Sequence, residues 1–459
     1  MLSSKGDILL AQKINIGMVS LGCDKNRVDA ELMLGVLRER GYNIVSDEKI
    51  ADVIIVNTCG FIESASQESI DTILEIAKNK VDGRCRMLIA SGCLAERYGD
   101  ELLNEIPELD AAVGVGNFVQ IDEVIKDFFK FGKRIKKTGN TGFDVDFNGK
   151  RILTTPRYTA YVKIAEGCNN ACTYCIIPRL RGRYRSRSME GILKEVDALS
   201  KNGTKEIILI AQDTSKYGID IYGQNKLAEL LNRVADVDGI EWVRILYCYP
   251  EDISDELIYA IKSNDNICNY IDIPIQHINN EILKRMGRKT RRQDIEAIIE
   301  KLRSNIPDII IRTSLIVGFP GETDEQFNEL YEFLTEYKLD RIGVFTYSME
   351  EGTKAAQFED QIDEKLKKAR QRKLMLLQKR ISRNKNKAKL GKTLKVLLEG
   401  TDKDGIMIGR TYGDAPDIDG IIYVKTMGYD FKVGDFADVY VTDALDYDLI
   451  GVIKNESCK

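Results

Sequence analysis

Apolar runs alternate with helical patterns over the first third of the chain. One helix is predicted near Arg27 to Arg40 and another near Glu63 to Lys78, where apolar and polar residues mix at helical spacing. The runs around them predict strands: INIGMVSLGC (14–23), DVIIVNTC (52–59) and MLIASGC (87–93). Strands that alternate with helices are typical of a parallel sheet, so we predict an α/β domain over residues 14–130.

A second set of strands follows a polar stretch. Residues 131–155 contain glycines and lack an apolar period, which predicts a linker. Beyond it, six strand candidates are separated by stretches long enough for a helix: YVKIAEGC, EIILIAQD, WVRILYC, YIDIPIQ, IIIRTSLIVGF and RIGVFTYS. Six β/α units predict a partial TIM-type barrel, (β/α)6, over residues 156–386.

The last part of the chain changes character twice. A strongly basic helix is predicted from Asp363 to Lys389, with apolar residues at Leu366, Leu374, Leu377 and Ile381, and it bridges to the final domain. Residues 387–459 then hold five short strands between Gly and Asp turns: TLKVLLEG, GIMIGRT, GIIYVKT, FADVYVTDA and DLIGVI. This pattern predicts a small all-β barrel.

Composition narrows the class of protein. The chain has 459 residues, of which 43% are hydrophobic. This length is more than one hydrophobic core usually holds, so we expect three domains. No apolar run approaches the ~20 residues of a membrane span, and the N-terminus lacks a secretory pattern, so we expect a cytoplasmic protein with no membrane partner. Ten cysteines in a reducing compartment point to metal binding or catalysis rather than to disulfides.

The most specific motif is EGCNNACTYC, directly after the first strand of the second domain. Its thiols, Cys168, Cys172 and Cys175, can hold three irons of a [4Fe-4S] cluster and leave the fourth iron open to a small molecule. The spacing, with the aromatic Tyr174 before the last cysteine, resembles the radical S-adenosylmethionine (AdoMet) signature. A structural zinc site would want a fourth ligand, and no other cysteine is near. Zinc and a simple electron-transfer cluster remain the alternatives.

A second set of cysteines lies at three strand ends in the first domain. Cys23, Cys59 and Cys93 each end an apolar run, and ligand sites in parallel sheets gather at the carboxyl ends of strands. We therefore predict a second cluster there, against the alternative of three buried core cysteines. Cys85 precedes the strand that Cys93 ends, about 26 Å away along extended chain, so both cannot reach one cluster. The remaining cysteines are predicted to be structural: Cys248, Cys268 and Cys458.

Motifs along nearly the whole chain resemble the radical AdoMet methylthiotransferase family. They are VSLGCDKNRVDAE, VNTCGFIESA, ASGCLAERY, the Cys168 loop, RTSLIVGFPGET and GRTYGDAPDIDG. The last motif is more similar to the branch that modifies the β-carbon of an aspartate in small-subunit ribosomal protein S-twelve than to the tRNA-modifying branch. The resemblance implies a flavodoxin-like first domain, a radical AdoMet barrel and a C-terminal TRAM domain.

The family's site residues carry over position by position. The resemblance implies that Cys168, Cys172 and Cys175 hold the catalytic AdoMet cluster, and that the first-domain set holds an auxiliary [4Fe-4S] cluster. AdoMet would serve both as radical source and as methyl donor. Four residues are expected to contact the AdoMet cofactor, although residues that only form turns are the competing interpretation for the last three: Tyr174, Gln212, Asp213 and Gly318.

The charge of the last domain bears on the choice of substrate. Residues 391–459 hold 8 Lys and Arg against 13 Asp and Glu, a net charge of −5. An RNA-binding barrel should show a basic face, whereas an acidic one would attract a basic ribosomal protein. The acids invoked are Asp414, Asp417, Asp419, Asp443, Asp446 and Asp448, for which a plain solvated surface is the alternative.

Other hypotheses stay open from sequence alone. The basic helix and the run RLRGRYRSRS (179–188) could touch RNA, which keeps a tRNA adenosine methylthiotransferase as the alternative. A non-catalytic iron–sulfur carrier or scaffold is a hypothesis of another class, and the open iron predicted in both sites argues against it. Expected partners are ribosomal protein S-twelve, free or within the ribosome, and an electron donor such as flavodoxin.

Overall fold

Buried apolar runs build the two large sheets of this protein, because a parallel sheet covered on both faces needs strands that are apolar throughout. The structure is a computed structural model, and it describes residues 14–143, 145–146, 150–426, 428 and 431–454. Cys458 lies outside these residues. Three domains follow one another along the chain, as the pattern predicts.

The first domain is a six-stranded, entirely parallel sheet with the order β2-β1-β3-β4-β5-β6. Its strands are β1 (Asn15–Ser20), β2 (Asn43–Ile44), β3 (Val53–Thr58), β4 (Met87–Gly92), β5 (Ala111–Val113) and β6 (Ile135–Lys137). Its helices are α1 (Asp24–Glu39), α2 (Glu63–Ala77), α3 (Asn79–Asp82), α4 (Cys93–Glu105) and α5 (Ile121–Phe131). This strand order is that of the flavodoxin-like doubly wound fold.

The predicted linker is wrong in its first part. Within residues 131–155, β6 pairs with β5 and completes the first sheet at its edge. The sequence of this strand, IKK, is short and half-polar because an edge strand is covered on one side only. Farther along, Arg151 is buried against Glu31 of α1, so this stretch packs against the domain.

The second domain confirms the partial barrel. Six parallel strands lie in chain order: β7 (Thr159–Lys163), β10 (Glu206–Ile210), β11 (Trp242–Ile245), β12 (Ile267–Asp272), β13 (Ile310–Val317) and β14 (Arg341–Thr346). A small antiparallel pair follows β7: β8 (Ala165–Glu166) and β9 (Arg185–Ser186). The helices are α6 (Ile177–Arg181), α7 (Met189–Lys201), α8 (Ile219–Tyr222), α9 (Leu227–Ala235), α10 (Asp255–Ser263), α11 (Asn280–Arg285), α12 (Arg292–Asn305) and α13 (Asp324–Tyr337).

The third domain is a closed barrel of five strands with the order β15-β16-β17-β19-β18. The strands are β15 (Thr393–Thr401), β16 (Met407–Thr411), β17 (Ile422–Lys425), β18 (Phe436–Ala444) and β19 (Leu449–Ile453). All five overlap a predicted strand, and alternate residues face the small core, as period-two patterning requires. Closure leaves no free edge strand.

Helix α14 (Glu364–Lys387) joins the second and third domains, as predicted. Leu374, Leu377 and Ile381 are buried against the barrel, whereas Leu366 is 40% exposed. At its far end, the Asn386 side chain donates to the Leu445 and Asp448 carbonyls of the small barrel. No helix in the described residues is long and apolar enough to cross a membrane.

The interior of the open barrel is closed by both neighbouring domains. Val28 of α1 and Ala415, in the loop after β16, join one apolar cluster with Tyr161, Tyr270 and other strand residues. A partial barrel leaves a gap that a full (β/α)8 barrel would not have, and apolar side chains must cover it. Docking of the other domains therefore completes the barrel core.

Candidate iron–sulfur active site

Strand register brings the first cysteine set together. In the first sheet, β1, β3 and β4 are neighbours, and Thr58 pairs with Gly92 at their carboxyl ends. Cys59 and Cys93 directly follow these two strands, and paired strands lie about 4.8 Å apart. Cys23 follows β1 at the start of α1, and its thiol lies close enough to Cys59 and Cys93 to raise the pKa of both.

Two glycines make this close approach possible. Gly22 has φ +84, and a Cβ added there would lie 2.7 Å from the Cβ of Cys59. Gly92 has φ +94, and a Cβ there would lie 2.6 Å from the Thr58 carbonyl oxygen. Any other residue would clash and would also be strained at these backbone angles. The glycines in the sequences LGC and SGC therefore help to bring the cysteines of this set together.

Burial dominates the chemistry of the Cys59 and Cys93 thiols, whereas Cys23 is exposed. Burial raises the pKa of Cys93 to about 12, opposed by the adjacent Arg181 guanidinium and reinforced by the other two thiols. Without a metal the Cys93 thiol is therefore protonated at neutral pH, and bound cations would be needed to hold it as a thiolate. Cys85 lies at the opposite end of β4, where its thiol donates to the Met87 carbonyl at 3.3 Å.

The second cysteine set occupies the loop between β8 and α6. The Cys168 amide donates to the Gly182 carbonyl at 3.2 Å, and the Cys175 amide donates to the Cys172 carbonyl at 3.1 Å. In the folded loop, burial raises the pKa of Cys175, and the Cys172 and Cys168 thiols lie close enough to raise it further. Cys248 and Cys268, predicted to be structural, are buried in the apolar cores.

Aromatic and cationic side chains cover the Cys172 thiol. The Tyr249 hydroxyl lies 3.9 Å from its Sγ, and the Arg288 guanidinium approaches the same sulfur at 4.0 Å. Arg288 also stacks 4.2 Å above the Tyr249 ring. A cation beside a cluster thiolate favours its negative charge, so these two residues belong to the site although the sequence analysis did not identify them.

The four predicted cofactor contacts have different surroundings. The side chain of Gln212 donates to Glu166 at 2.9 Å, and its own oxygen is buried with no hydrogen-bond partner among the described residues. Asp213 is fully buried and accepts from Asn170 at 2.8 Å. Tyr174 packs beside Phe319, Tyr347 and other apolar residues at the barrel rim.

Gly318 fits the competing interpretation better. Its amide already donates to the Glu322 carboxylate at 2.5 Å, and a Cβ there would lie 2.3 Å from Cγ of Lys367. Glycine at this position therefore allows the turn after β13 and the close approach of α14. Among the four, Gln212 keeps a buried acceptor available for a polar ligand.

One arginine connects the two cysteine sets. Arg181, at the end of α6, is 1% exposed and donates to Asn26 at 2.6 Å and to the Cys93 sulfur at 3.6 Å. Its other nitrogen donates to Asp29 at 3.1 Å and to Glu166 at 3.0 Å. Lys163 bonds the same two carboxylates, so a buried network joins the helix after the Cys168 loop to the first domain.

The arrangement suits a cluster better than a single ion. Among the residues that the structure describes, no three His, Cys, Asp or Glu side chains are placed to hold one metal ion. A tetrahedral zinc site needs its ligands about 2.3 Å from one centre, whereas a four-iron cluster holds its cysteines farther apart. Two sets of three thiols, with no fourth His, Cys, Asp or Glu ligand placed at either among the described residues, therefore fit [4Fe-4S] groups with one open iron each.

A cavity of about 540 Å³ lies where the three domains meet. Its lining includes Arg27, Tyr158, Glu399 and Asp417, and it reaches the amino-terminal end of β7. None of the six cysteines lines it, although Ser20, at the carboxyl end of β1, does. We therefore assign the cavity to the joint between the domains and not to the chemistry.

The acidic residues of the third domain are largely used within the molecule. Asp414 is buried in an ion pair with Arg341, and Asp419 accepts from the Tyr270 hydroxyl at 2.7 Å inside the barrel. Asp446 pairs with Lys379 at 3.0 Å. The prediction that these residues attract a basic substrate is therefore wrong for Asp414, Asp419 and Asp446, because their carboxylates already have partners within the molecule. For Asp417, Asp443 and Asp448 it stays a prediction.

The basic run 179–188 is also turned inward. Arg181 is buried in the network at the first domain, and Arg187 is buried against Glu195 at 2.6 Å. Arg185 lies over the Phe143 ring. Most of the cations in this run are therefore not available to bind RNA.

Comparison with known proteins identifies the class first. Family models match residues 15–114 (uncharacterized protein family UPF0004), 162–334 (radical SAM superfamily) and 390–453 (TRAM domain). The barrel and its cysteine loop thus define a radical SAM enzyme. A solved structure of the radical SAM methyltransferase TsrM from Kitasatospora setae, with cobalamin and a [4Fe-4S] cluster bound, covers 73% of this chain and 72% of that one. At 15% identity and a TM-score of 0.53, it shows likeness of fold alone.

Curated relatives specify the family. The ribosomal protein uS12 methylthiotransferase RimO of Clostridium perfringens is 56% identical over 97% of this chain and 100% of that protein. The protein of the same name from Clostridium acetobutylicum is 53% identical, over 97% of this chain and 100% of that one. The chain therefore belongs to the RimO family of methylthiotransferases.

Proposed function

We propose that this protein is a radical AdoMet enzyme that attaches a methylthio group to the β-carbon of an aspartate in ribosomal protein uS12 (S-twelve). The observation that carries the proposal is the pair of three-cysteine sets at strand ends, joined through Arg181. Sequence identity of 56% to a ribosomal protein uS12 methylthiotransferase supports uS12 as the substrate. The β-carbon of an aspartate is difficult to deprotonate, because the carbanion would lie beside the residue's own carboxylate. A radical mechanism is therefore the practical route.

We assign one [4Fe-4S] cluster and AdoMet to Cys168, Cys172 and Cys175, and an auxiliary cluster to Cys23, Cys59 and Cys93. When bound, these groups supply reductive cleavage of AdoMet and an iron site from which sulfur reaches the substrate. The polypeptide positions them: Arg181 ties the helix after the AdoMet loop to Cys93, which fixes the distance between the two sets. Arg288 and Tyr249 exclude water from Cys172.

Gln212 is the residue we assign to polar contact with AdoMet. Its buried oxygen has no partner among the described residues, and the amide is held in place by Glu166. We assign Asp213 an indirect role. Its carboxylate accepts a hydrogen bond from Asn170 and forms an ion pair with Lys216, and these contacts order the loop that carries Cys168. We propose a cytoplasmic location and an electron donor such as flavodoxin on the chemistry alone.

Mass spectrometry of the product tests the function. Anaerobically reconstituted enzyme is incubated with AdoMet, reductant and sulfide, together with either uS12 or unmodified tRNA. A gain of about 46 Da on an aspartate-containing peptide of uS12 is expected, since a methylthio group replaces hydrogen. The same gain on a tRNA nucleoside, with none on protein, would contradict the substrate and leave the reaction class intact. AdoMet left uncleaved by the reduced enzyme would contradict the reaction class itself.

A further inference from the structure

Helix α14 carries an exposed line of cations along its length. Lys365, Lys368, Arg372, Lys379, Arg383 and Lys387 follow one another at spacings of three, four or seven residues, which places them on one face. We call this face the basic ridge. It runs for about 33 Å at the helical rise of 1.5 Å per residue. The helix as a whole contains 11 Lys and Arg and a single acid, Glu364.

The ridge differs from an ordinary solvated helix face. Solvated faces usually alternate Glu with Lys, because opposite charges four residues apart stabilise a helix and like charges destabilise it. Here Lys368 and Arg372, then Lys379 and Arg383, are like charges at that spacing, and the second pair shares the Asp446 carboxylate of the small barrel at 3.0 and 3.6 Å. Within the described part of the chain, Lys365, Lys368 and Arg372 form no side-chain ion pair, and the net charge of the protein is −5. The first half of the ridge is therefore an unpaired group of cations on a chain that is acidic overall.

The ridge begins at the catalytic face of the barrel. The Lys367 ammonium, one residue off the ridge, donates to the Tyr347 carbonyl just after β14, and the same side chain crosses Gly318 after β13. Carboxyl ends of these parallel strands lie on the side that holds the Cys168 loop. At its other end the helix contacts the small barrel through Asn386. A ligand lying along the ridge would therefore extend beside the active site.

We propose that the basic ridge binds the phosphate backbone of the RNA that lies next to the protein substrate in an assembled small ribosomal subunit. This rests on the proposed function for its substrate. Lysine and arginine in a line suit a polyanion whose charges repeat at short intervals, and such contacts carry affinity without reading sequence. Leu376, which is 51% exposed among the ridge cations, adds apolar contact for the sugars or bases.

The test separates the ridge from the active site. A ridge variant, Lys365→Gln, Lys368→Gln and Arg372→Gln, removes three charges, and Gln keeps nearly the same helix propensity. The matched control, Lys78→Gln, Lys194→Gln and Lys262→Gln, removes three exposed charges elsewhere, two from helices α7 and α10 and one from the turn between α2 and α3. Binding of a labelled RNA hairpin and of purified, unmodified small subunits is measured against salt concentration, together with methylthio transfer to free uS12.

For the ridge variant we expect RNA and subunit binding at least about tenfold weaker, with a salt slope lower by about 2 to 3. Modification of free uS12 should stay at the control rate. Binding and salt slope equal to those of the control would overturn the proposal. Wild-type enzyme inactive on both forms of uS12 would contradict the proposed function, while the RNA-binding comparison would still decide the role of the ridge.

Discussion

Replacing Glu206 with glutamine removes the one negative charge that two buried arginines share. Glu206 is fully buried at the start of β10, where its carboxylate accepts from Arg410 at 2.5 Å and from Arg244 at 3.2 Å. Arg410 belongs to the small barrel, so the group lies at the joint between two domains. Glutamine keeps one acceptor oxygen but turns an N–H group toward a guanidinium donor.

The cost follows from this burial. Breaking a buried ion pair from one side costs about 3–5 kcal/mol, because the partner charge stays buried without compensation. Among the described residues, Glu399 is then the one carboxylate left in an ion pair with Arg410, at 2.7 Å. Burial alone would raise the pKa of Glu206, but Arg410 and Arg244 bring it below its usual value. The stabilisation is thus complete above the unfolded pKa near 4.3 and is lost as pH falls through the lower folded value.

The single tryptophan reports on this joint directly. Trp242 lies in β11 and packs edge-to-face on Phe436 of the small barrel at 4.8 Å. With a urea slope of about 2 kcal/mol per molar, Glu206→Gln should lower the midpoint of the fluorescence transition by roughly 1.5–2.5 M at pH 7. The control Glu229→Gln removes an exposed pair and should shift it little. Equal midpoints for the two variants would refute the argument.

Three further changes test the site and the pH dependence. Cys172→Ala should abolish AdoMet cleavage to 5′-deoxyadenosine while first-domain iron is retained; unchanged cleavage would remove the assignment of that loop. Cys59→Ala should keep cleavage but stop methylthio transfer, with Cys85→Ala as the control that keeps both. His277 is fully buried, which lowers its pKa to about 3, so stability should fall by about 2 kcal/mol between pH 7 and pH 5 as the unfolded imidazole gains a proton. His277→Asn should flatten that dependence in urea titrations at the two pH values.

The cysteine sets could be anticipated because each cysteine follows an apolar strand or lies in one short loop. Parallel sheets collect the carboxyl ends of their strands at one edge, so position in sequence already indicates position in space. What remained open was the strand order that makes β1, β3 and β4 neighbours. The short strands β5 and β6 were missed because three residues are too few for a recognisable period.

Arg181 illustrates what local pattern does not contain. Its partners Cys93 and Asn26 lie 88 and 155 residues away along the chain, and nothing near position 181 specifies them. One indication was present: Lys163 and Glu166 carry charge in strand segments that are otherwise buried. Buried charges need partners, so their presence in such strands points to a network, although not to its members.

The third domain shows why a domain's net charge is a poor measure of its surface. Arg312 and Arg341 belong to the barrel, yet their partners Asp419 and Asp414 count toward the small domain. Counting by domain therefore splits ion pairs across the boundary and adds two acids that are removed from solvent, Asp414 and Asp419, to the acidic excess of the small domain. On the other side of the same joint, α14 has cations in excess and keeps many of them exposed. The surface that a polyanion would meet is set by pairing across the joint, and this is why an acidic protein can present a basic ridge.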